Sequence, residues 1–120
     1  MSAPSIIVVD DEIELASLFK EFLTKVGYDV ISFTDPVVAL EYFKDTPDKH
    51  SLIITDLRMP GLNGIELAKK VRELNTNIKI FLITAFETRD LENHVERIWY
   101  IIFIEKAINL IRLIEVIQKF

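Results

Sequence analysis

The sequence contains no cysteine and only three glycines among its 120 residues. Without cysteine the chain has no thiolate nucleophile, no disulfide and no cysteine-ligated zinc, which is typical of proteins from a reducing compartment. Three glycines, of which only Gly61 and Gly64 are close in sequence, do not form a glycine-rich loop of the kind that cradles a nucleotide or flavin phosphate. These shortages exclude disulfide-stapled secreted domains and thiol-dependent catalysis.

Basic clusters and long apolar runs are also missing. Asp and Glu number 19 against 14 Lys and Arg, so the formal charge is −5, and the basic residues are scattered along the chain. We therefore expect no direct binding to nucleic acid. The longest apolar run, residues 98–104, is far too short for a membrane span, and residues 1–4 lack the basic and apolar regions of a signal peptide. We expect a cytoplasmic protein with no membrane segment.

The length and composition fit one folded domain. Half of the residues are hydrophobic and 28% are charged, so the chain has enough apolar side chains for a core. No linker, repeat or low-complexity segment divides it. We predict a single domain over residues 1–120, with no output domain.

Short β-branched or aromatic runs alternate with stretches of helical periodicity. The predicted strands are residues 5–10, 28–33, 52–55, 78–84 and 99–104. The predicted helices are residues 13–26, ending at Gly27, then 36–44 with Asp35 as N-cap, 64–74, 87–98 and 107–119. This alternation predicts an α/β protein with a doubly wound, five-stranded parallel sheet and five helices, for which the order 2-1-3-4-5 brings the first and third strands together.

Polar residues collect where the predicted strands end. Asp10 and Asp11 follow the first strand, Asp56 the third, Thr84 ends the fourth and Lys106 follows the fifth. In the order 2-1-3-4-5 three carboxylates meet at the switch point between the first and third strands. Such a cluster is costly unless a cation lies in it, and a hard divalent ion with oxygen ligands, such as Mg²⁺, relieves the repulsion. Asp11 alone could instead be the N-cap of the first helix.

Three segments extend this pattern: VVDDE at 8–12, LIITDLRMPGLNG at 52–64 and TA at 84–85, with Phe103 three residues before Lys106. Together they resemble the receiver domain of two-component response regulators, which has a flavodoxin-like fold. The resemblance implies that Asp56 is the phosphoacceptor and that a sensor histidine kinase or phosphotransfer protein is the donor. It also implies an Mg²⁺ site formed by Asp10, Asp11, Asp56 and the backbone carbonyl of Arg58.

The resemblance implies further roles around the phosphoryl group. Lys106 would pair with the phosphoryl oxygens, the Thr84 hydroxyl would bind one of them, and Phe103 would change rotamer as Thr84 moves. Arg58 and Phe86, each two residues beyond a site residue, would tune the lifetime of the acyl phosphate. A phosphoryl group adds negative charge at one point, so a local event can change a surface that a downstream protein target contacts.

Two features differ from a standard receiver. Ala107 follows Lys106 where the family nearly always has proline, so we do not expect the cis peptide bond that often aims the lysine in that family. The alternative is a degenerate receiver that binds partners without phosphorylation. The fifth helix also carries an apolar arc wider than one sheet face requires, which predicts a partner or a homodimer on the face formed by the fourth helix, fifth strand and fifth helix. The arc comprises Leu110, Ile111, Leu113, Ile114, Val116, Ile117 and Phe120.

The two histidines are expected to be solvated. His50 and His94 are not at the carboxyl end of any predicted strand and have no spaced ligand partner. An enzyme of similar topology, such as a flavin carrier or a phosphatase, is disfavoured because the loop after the first strand is acidic.

Overall fold

A computed structural model of the chain describes residues 5–84, 101–105 and 117–118. Its elements in chain order are β1 (Ser5–Val9), α1 (Ile13–Val26), β2 (Asp29–Phe33), α2 (Pro36–Asp45), β3 (Leu52–Asp56), α3 (Gly64–Leu74), β4 (Lys79–Thr84) and β5 (Ile101–Glu105). The helices expected at 87–98 and 107–119 lie outside the described residues, apart from two helical residues at 117 and 118.

The five strands form one parallel sheet in the order β2-β1-β3-β4-β5. This confirms the predicted doubly wound topology. The predicted strand bounds differ by one or two residues, since Asp10 follows β1 and Asp56 is the last residue of β3. In the register, Val9 of β1 is opposite Thr55 of β3, so the two strands end at the same side of the sheet.

Alternating side chains of the strands supply two cores, one on each face of the sheet. Ile7, Val9, Ile53, Ile80 and Leu82 pack with residues of α2 and α3. Ile6, Val8, Leu52, Ile54 and Phe81 pack with residues of α1, and Ile117 packs against this second core. Each large apolar side chain buried in this way stabilises the fold by about 1.5–3 kcal/mol. Strands buried on both faces are what a parallel sheet covered by crossover helices requires.

Local caps explain where the helices begin and end. The side chain of Asp35 accepts a hydrogen bond from the amide of Val37 at 2.9 Å, which starts α2. Asn63 and Glu66 form a reciprocal capping box that starts α3. Gly27 ends α1 with a φ of 113°, as predicted. The alternative reading of Asp11 as the N-cap of α1 is wrong, because the N-cap is Glu12 and no side chain caps it.

None of the helices within residues 5–84, 101–105 and 117–118 has the length and apolar character needed to cross a membrane.

The expectation that His50 is solvated is wrong. The side chain lies just before β3 and is only 6% exposed. Its Nδ1 is 2.6 Å from the hydroxyl oxygen of Ser5, and its Nε2 is 2.7 Å from that of Tyr42. His50 therefore joins the start of β1 to α2 through both ring nitrogens. Burial lowers its pKa, the nearby Lys49 lowers the pKa further, and Asp29 partly opposes the shift.

The lowered pKa of His50 predicts a loss of stability in mild acid. In the unfolded chain the ring takes up a proton near pH 6.5, whereas the native ring resists it to lower pH. The unfolded state then binds more protons, so the free energy of unfolding falls as the pH drops below about 6.5 and levels off below the native pKa. The slope is at most about 1.4 kcal/mol per pH unit.

Urea unfolding between about pH 5.5 and 7.5 measures this slope. In the His50→Gln variant we expect a flatter profile than in the wild type, and His94→Gln is the control for the other histidine. A profile that is equally steep in His50→Gln and the wild type would contradict the assignment.

Candidate functional site

Three carboxylates meet where β1 and β3 end. One carboxylate oxygen from each of Asp10, Asp11 and Asp56 lies within 4.8 Å of the other two. Asp10 is 2% exposed and Asp56 is 6% exposed, whereas Asp11 is exposed to solvent. The parallel register produces this meeting, because Asp10 and Asp56 each come one residue after the paired Val9 and Thr55. The predicted convergence of the three carboxylates is confirmed.

The backbone around Asp10 fixes the first carboxylate. The amide of Asp10 donates to the carbonyl of Phe33 at 3.0 Å, which ties it to the end of β2. The amide of Glu12 donates to Asp10 Oδ1 at 2.9 Å, so the carboxylate also shapes the turn into α1. Asp11 lies between these two bonded residues and faces solvent.

Hydrogen bonds hold the backbone at and just after Asp56. On the β4 side, the next amide, that of Leu57, donates to the carbonyl of Ile83 at 2.9 Å. The carbonyl of Leu57 accepts from the amide of Gly64, the first residue of α3, at 2.8 Å. The Thr55 hydroxyl donates to the Asp56 carbonyl at 3.0 Å. The backbone of Asp56 is thereby connected to both β4 and α3.

The loop from Asp56 to α3 is anchored by apolar side chains. Leu57, Met59 and Leu62 are buried and belong to the core under α2 and α3. Arg58 lies between two of them and is exposed. Gly61 turns the chain with a φ of 85°, a conformation that favours glycine. The loop is thus fixed at its buried positions and presents Arg58 at the surface near Asp56.

The donor set fits a hard divalent cation. All three side chains offer carboxylate oxygens, the ligands that Mg²⁺ prefers, and the exposed Asp11 leaves room for retained water. Three negative charges this close repel one another strongly where two of them are buried, and a cation between them removes that repulsion.

The remaining predicted site residues are described only in part. The register pairs Asp56 with Ile83, so Thr84 follows at the same edge of the sheet. Thr84 is paired in turn with Glu105, and Phe103 is paired with Leu82. These are backbone positions. Lys106 and Phe86 lie outside the described residues.

The chain matches a known protein family over nearly its whole length. The family model for the response regulator receiver domain matches residues 6–118. The chain belongs to this family. Receiver domains are signalling domains of two-component systems and not classical enzymes. They interact with histidine kinases or phosphotransfer proteins.

Individual relatives differ greatly in length. Sporulation initiation phosphotransferase F of Bacillus subtilis is 25% identical over 121 residues, a match that covers 100% of this chain and 95% of that protein. The sensor protein EvgS of Escherichia coli is 41% identical over 81 residues, covering 68% of this receiver but only 7% of EvgS. Receiver domains of this kind therefore occur both nearly alone and as small parts of long proteins.

A solved structure supports the fold. The response regulator TrrA from Thermotoga maritima, in complex with Mg²⁺ and BeF, has a TM-score of 0.82 to this chain, with 30% identity and 97% of both chains covered. The predicted flavodoxin-like receiver fold is confirmed.

Proposed function

We propose that this receiver is the phosphoacceptor switch of a two-component system. It takes a phosphoryl group on Asp56 from the phosphohistidine of a sensor histidine kinase or a phosphotransfer protein. The observation that carries the proposal is the position of the Asp56 carboxylate at a strand end, within 4.8 Å of two further carboxylates.

The cation site is part of the proposal. Asp10, Asp11 and Asp56 would hold Mg²⁺ together with the backbone carbonyl of Arg58, and the bound ion supplies positive charge for the phosphoryl oxygens. The complex of TrrA with Mg²⁺ and BeF supports this choice of ion. Asp10 contributes a carboxylate whose position is already set by its hydrogen bond from Glu12.

The chemistry asked of Asp56 is nucleophilic attack. One carboxylate oxygen forms a bond to phosphorus as the bond from phosphorus to the histidine nitrogen breaks, and the electron pair leaves with the imidazole. The step needs no general base, because the attacking carboxylate oxygen has no proton to lose. The transition state is loose, and catalysis consists mainly of positioning and charge neutralisation. Two hydrogen bonds provide the positioning: the Leu57 amide donates to the Ile83 carbonyl, and the Thr55 hydroxyl donates to the Asp56 carbonyl.

The other residues act on the product. Lys106 would pair with the phosphoryl oxygens and the Thr84 hydroxyl would bind one of them, while Phe103 changes rotamer in response. Arg58 and the bulky Phe86 would control access of the hydrolytic water to the acyl phosphate. The altered surface is the one formed by the predicted fourth helix, β5 and the predicted fifth helix, which a downstream protein or a second copy contacts.

Intact-mass spectrometry tests the proposal. The protein is incubated with acetyl phosphate in the presence and absence of Mg²⁺. We expect the mass of one added phosphoryl group only with Mg²⁺, and its removal by hydroxylamine, which cleaves acyl phosphates. No mass gain under any of these conditions contradicts the proposed function.

Ala107 favours a second candidate, a degenerate receiver that binds its partner without phosphorylation. The intact carboxylate cluster speaks against it. Partner binding that is equal for the wild type with and without acetyl phosphate would favour this candidate over the switch.

A further inference from the structure

Gly64 occupies a place where no side chain fits. It is the buried first residue of α3, and an added Cβ would overlap the carbonyl oxygen of Asp56. The same Cβ would lie 2.9 Å from Leu57 Cα and 3.1 Å from Leu82 Cδ2. Gly64 is not among the glycines with positive φ, which are Gly27 and Gly61 in the described residues. The requirement for glycine is therefore one of space and not of torsion.

The atoms that crowd Gly64 belong to the backbone of the phosphoacceptor. A flexible side chain could turn away from a new methyl group, but the Asp56 carbonyl and Leu57 Cα cannot. They are held by the hydrogen bonds from Gly64 to Leu57 and from Leu57 to Ile83, at 2.8 and 2.9 Å. Any relief of the overlap has to change the peptide between Asp56 and Leu57 or move α3.

The start of α3 is firmly placed. The capping box of Asn63 and Glu66 fixes its first turn, with hydrogen bonds of 2.8 and 3.1 Å. Leu67, Ala68 and Val71 are essentially fully buried against the sheet. A shift of this helix would disturb a close-packed core, whereas Asp56 at the end of β3 lies beside the exposed Asp11. A methyl group on Gly64 therefore displaces Asp56.

We propose that Gly64 is a positioning residue for the phosphoacceptor. Its missing side chain lets α3 rest directly on the peptide after Asp56, which sets the Asp56 carboxylate at its distance from those of Asp10 and Asp11. The proposal rests on the proposed function for its role in phosphoryl transfer. Its geometric part concerns the carboxylate cluster and can be tested with a metal ion alone.

Gly64→Ala and Gly61→Ala form a matched pair in one loop. Gly61 has a φ of 85° but nothing within 4 Å of an added Cβ, so Gly61→Ala strains the backbone without crowding Asp56. Both variants should be less stable to urea than the wild type. We expect Gly64→Ala to bind Mg²⁺ on the order of 10- to 100-fold more weakly and to accept a phosphoryl group more slowly at saturating Mg²⁺. Gly61→Ala should bind Mg²⁺ as the wild type does.

The affinity for Mg²⁺ is measured by titration calorimetry on the folded proteins at 10 °C, with urea unfolding run in parallel. The proposal would be overturned if Gly64→Ala bound Mg²⁺ as tightly as the wild type does, whatever the stability of the variant. Failure of Gly64→Ala to fold at 10 °C would also overturn it, because Gly64 would then be required by the fold itself. If the wild type binds Mg²⁺ but accepts no phosphoryl group, the proposed function fails while the affinity comparison still tests Gly64.

Discussion

Asp56→Asn protein is expected to gain no phosphoryl group from acetyl phosphate and Mg²⁺ under conditions that phosphorylate the wild type. The substitution keeps the size of the side chain and replaces the carboxylate by an amide, which is not a nucleophile toward phosphorus. The loss should be complete within detection, because the nucleophile is removed and not merely displaced. Intact-mass spectrometry of the two proteins side by side gives the result.

Two comparisons make this result specific. Asp48→Asn changes the net charge by the same amount at an exposed position between α2 and β3, at the opposite edge of the sheet, and should be phosphorylated like the wild type. Peptide mapping then locates any phosphoryl group that remains. A full mass gain in Asp56→Asn would show that another residue is the acceptor, and the assignment of Asp56 would be wrong.

The sequence was sufficient to predict the sheet and the meeting of three carboxylates, for a physical reason. The apolar residues of a strand and of a helix repeat with different periods, near two and 3.6, so each element can be recognised from a short stretch of sequence. Short, right-handed crossovers then leave few possible orders of the strands in a parallel sheet. Once the order of the strands is known, residues such as Asp10 and Asp56 must emerge at the same edge. The cap of α2 was predicted, because Asp35 acts on an amide only two residues away. The Asn63 cap of α3 is just as local but was not predicted.

What sequence reasoning missed depends on contacts between distant parts of the chain. His50 is buried because Ser5, 45 residues away, and Tyr42, on another element, supply its hydrogen bonds. In the same way, helical periodicity includes Ile13 and Leu18 in the apolar repeat of α1, yet they are 68% and 48% exposed. The helical period gives the direction of each side chain around the helix axis. It does not give how wide a part of the helix surface the sheet covers.

Gly64 shows a further limit of the sequence. A glycine at the start of a helix suggests a permissive turn. The need for glycine at position 64 comes instead from the carbonyl of Asp56, which only the folded chain brings against it. The LNG segment gives no local signal of this contact. A close approach between backbones is visible only when the strand and the helix are placed together.

Asp10→Asn should weaken the stabilisation that Mg²⁺ gives to the native protein. The amide oxygen of asparagine can still accept the hydrogen bond from the Glu12 amide, so the turn into α1 is kept while one negative charge is removed. With a chelator present, the free energies of unfolding of the two proteins give the baseline from which the effect of Mg²⁺ is measured.

Mg²⁺ should stabilise the wild type far more than it stabilises Asp10→Asn. An ion at 100 times its dissociation constant stabilises the native wild type by about 2.7 kcal/mol, whereas Asp10→Asn has lost one of three carboxylates of the site and should gain little. Urea unfolding of both proteins with chelator and with Mg²⁺ measures the four free energies, and Asp48→Asn should respond to Mg²⁺ as the wild type does. An equal gain from Mg²⁺ in Asp10→Asn would show that the ion binds elsewhere.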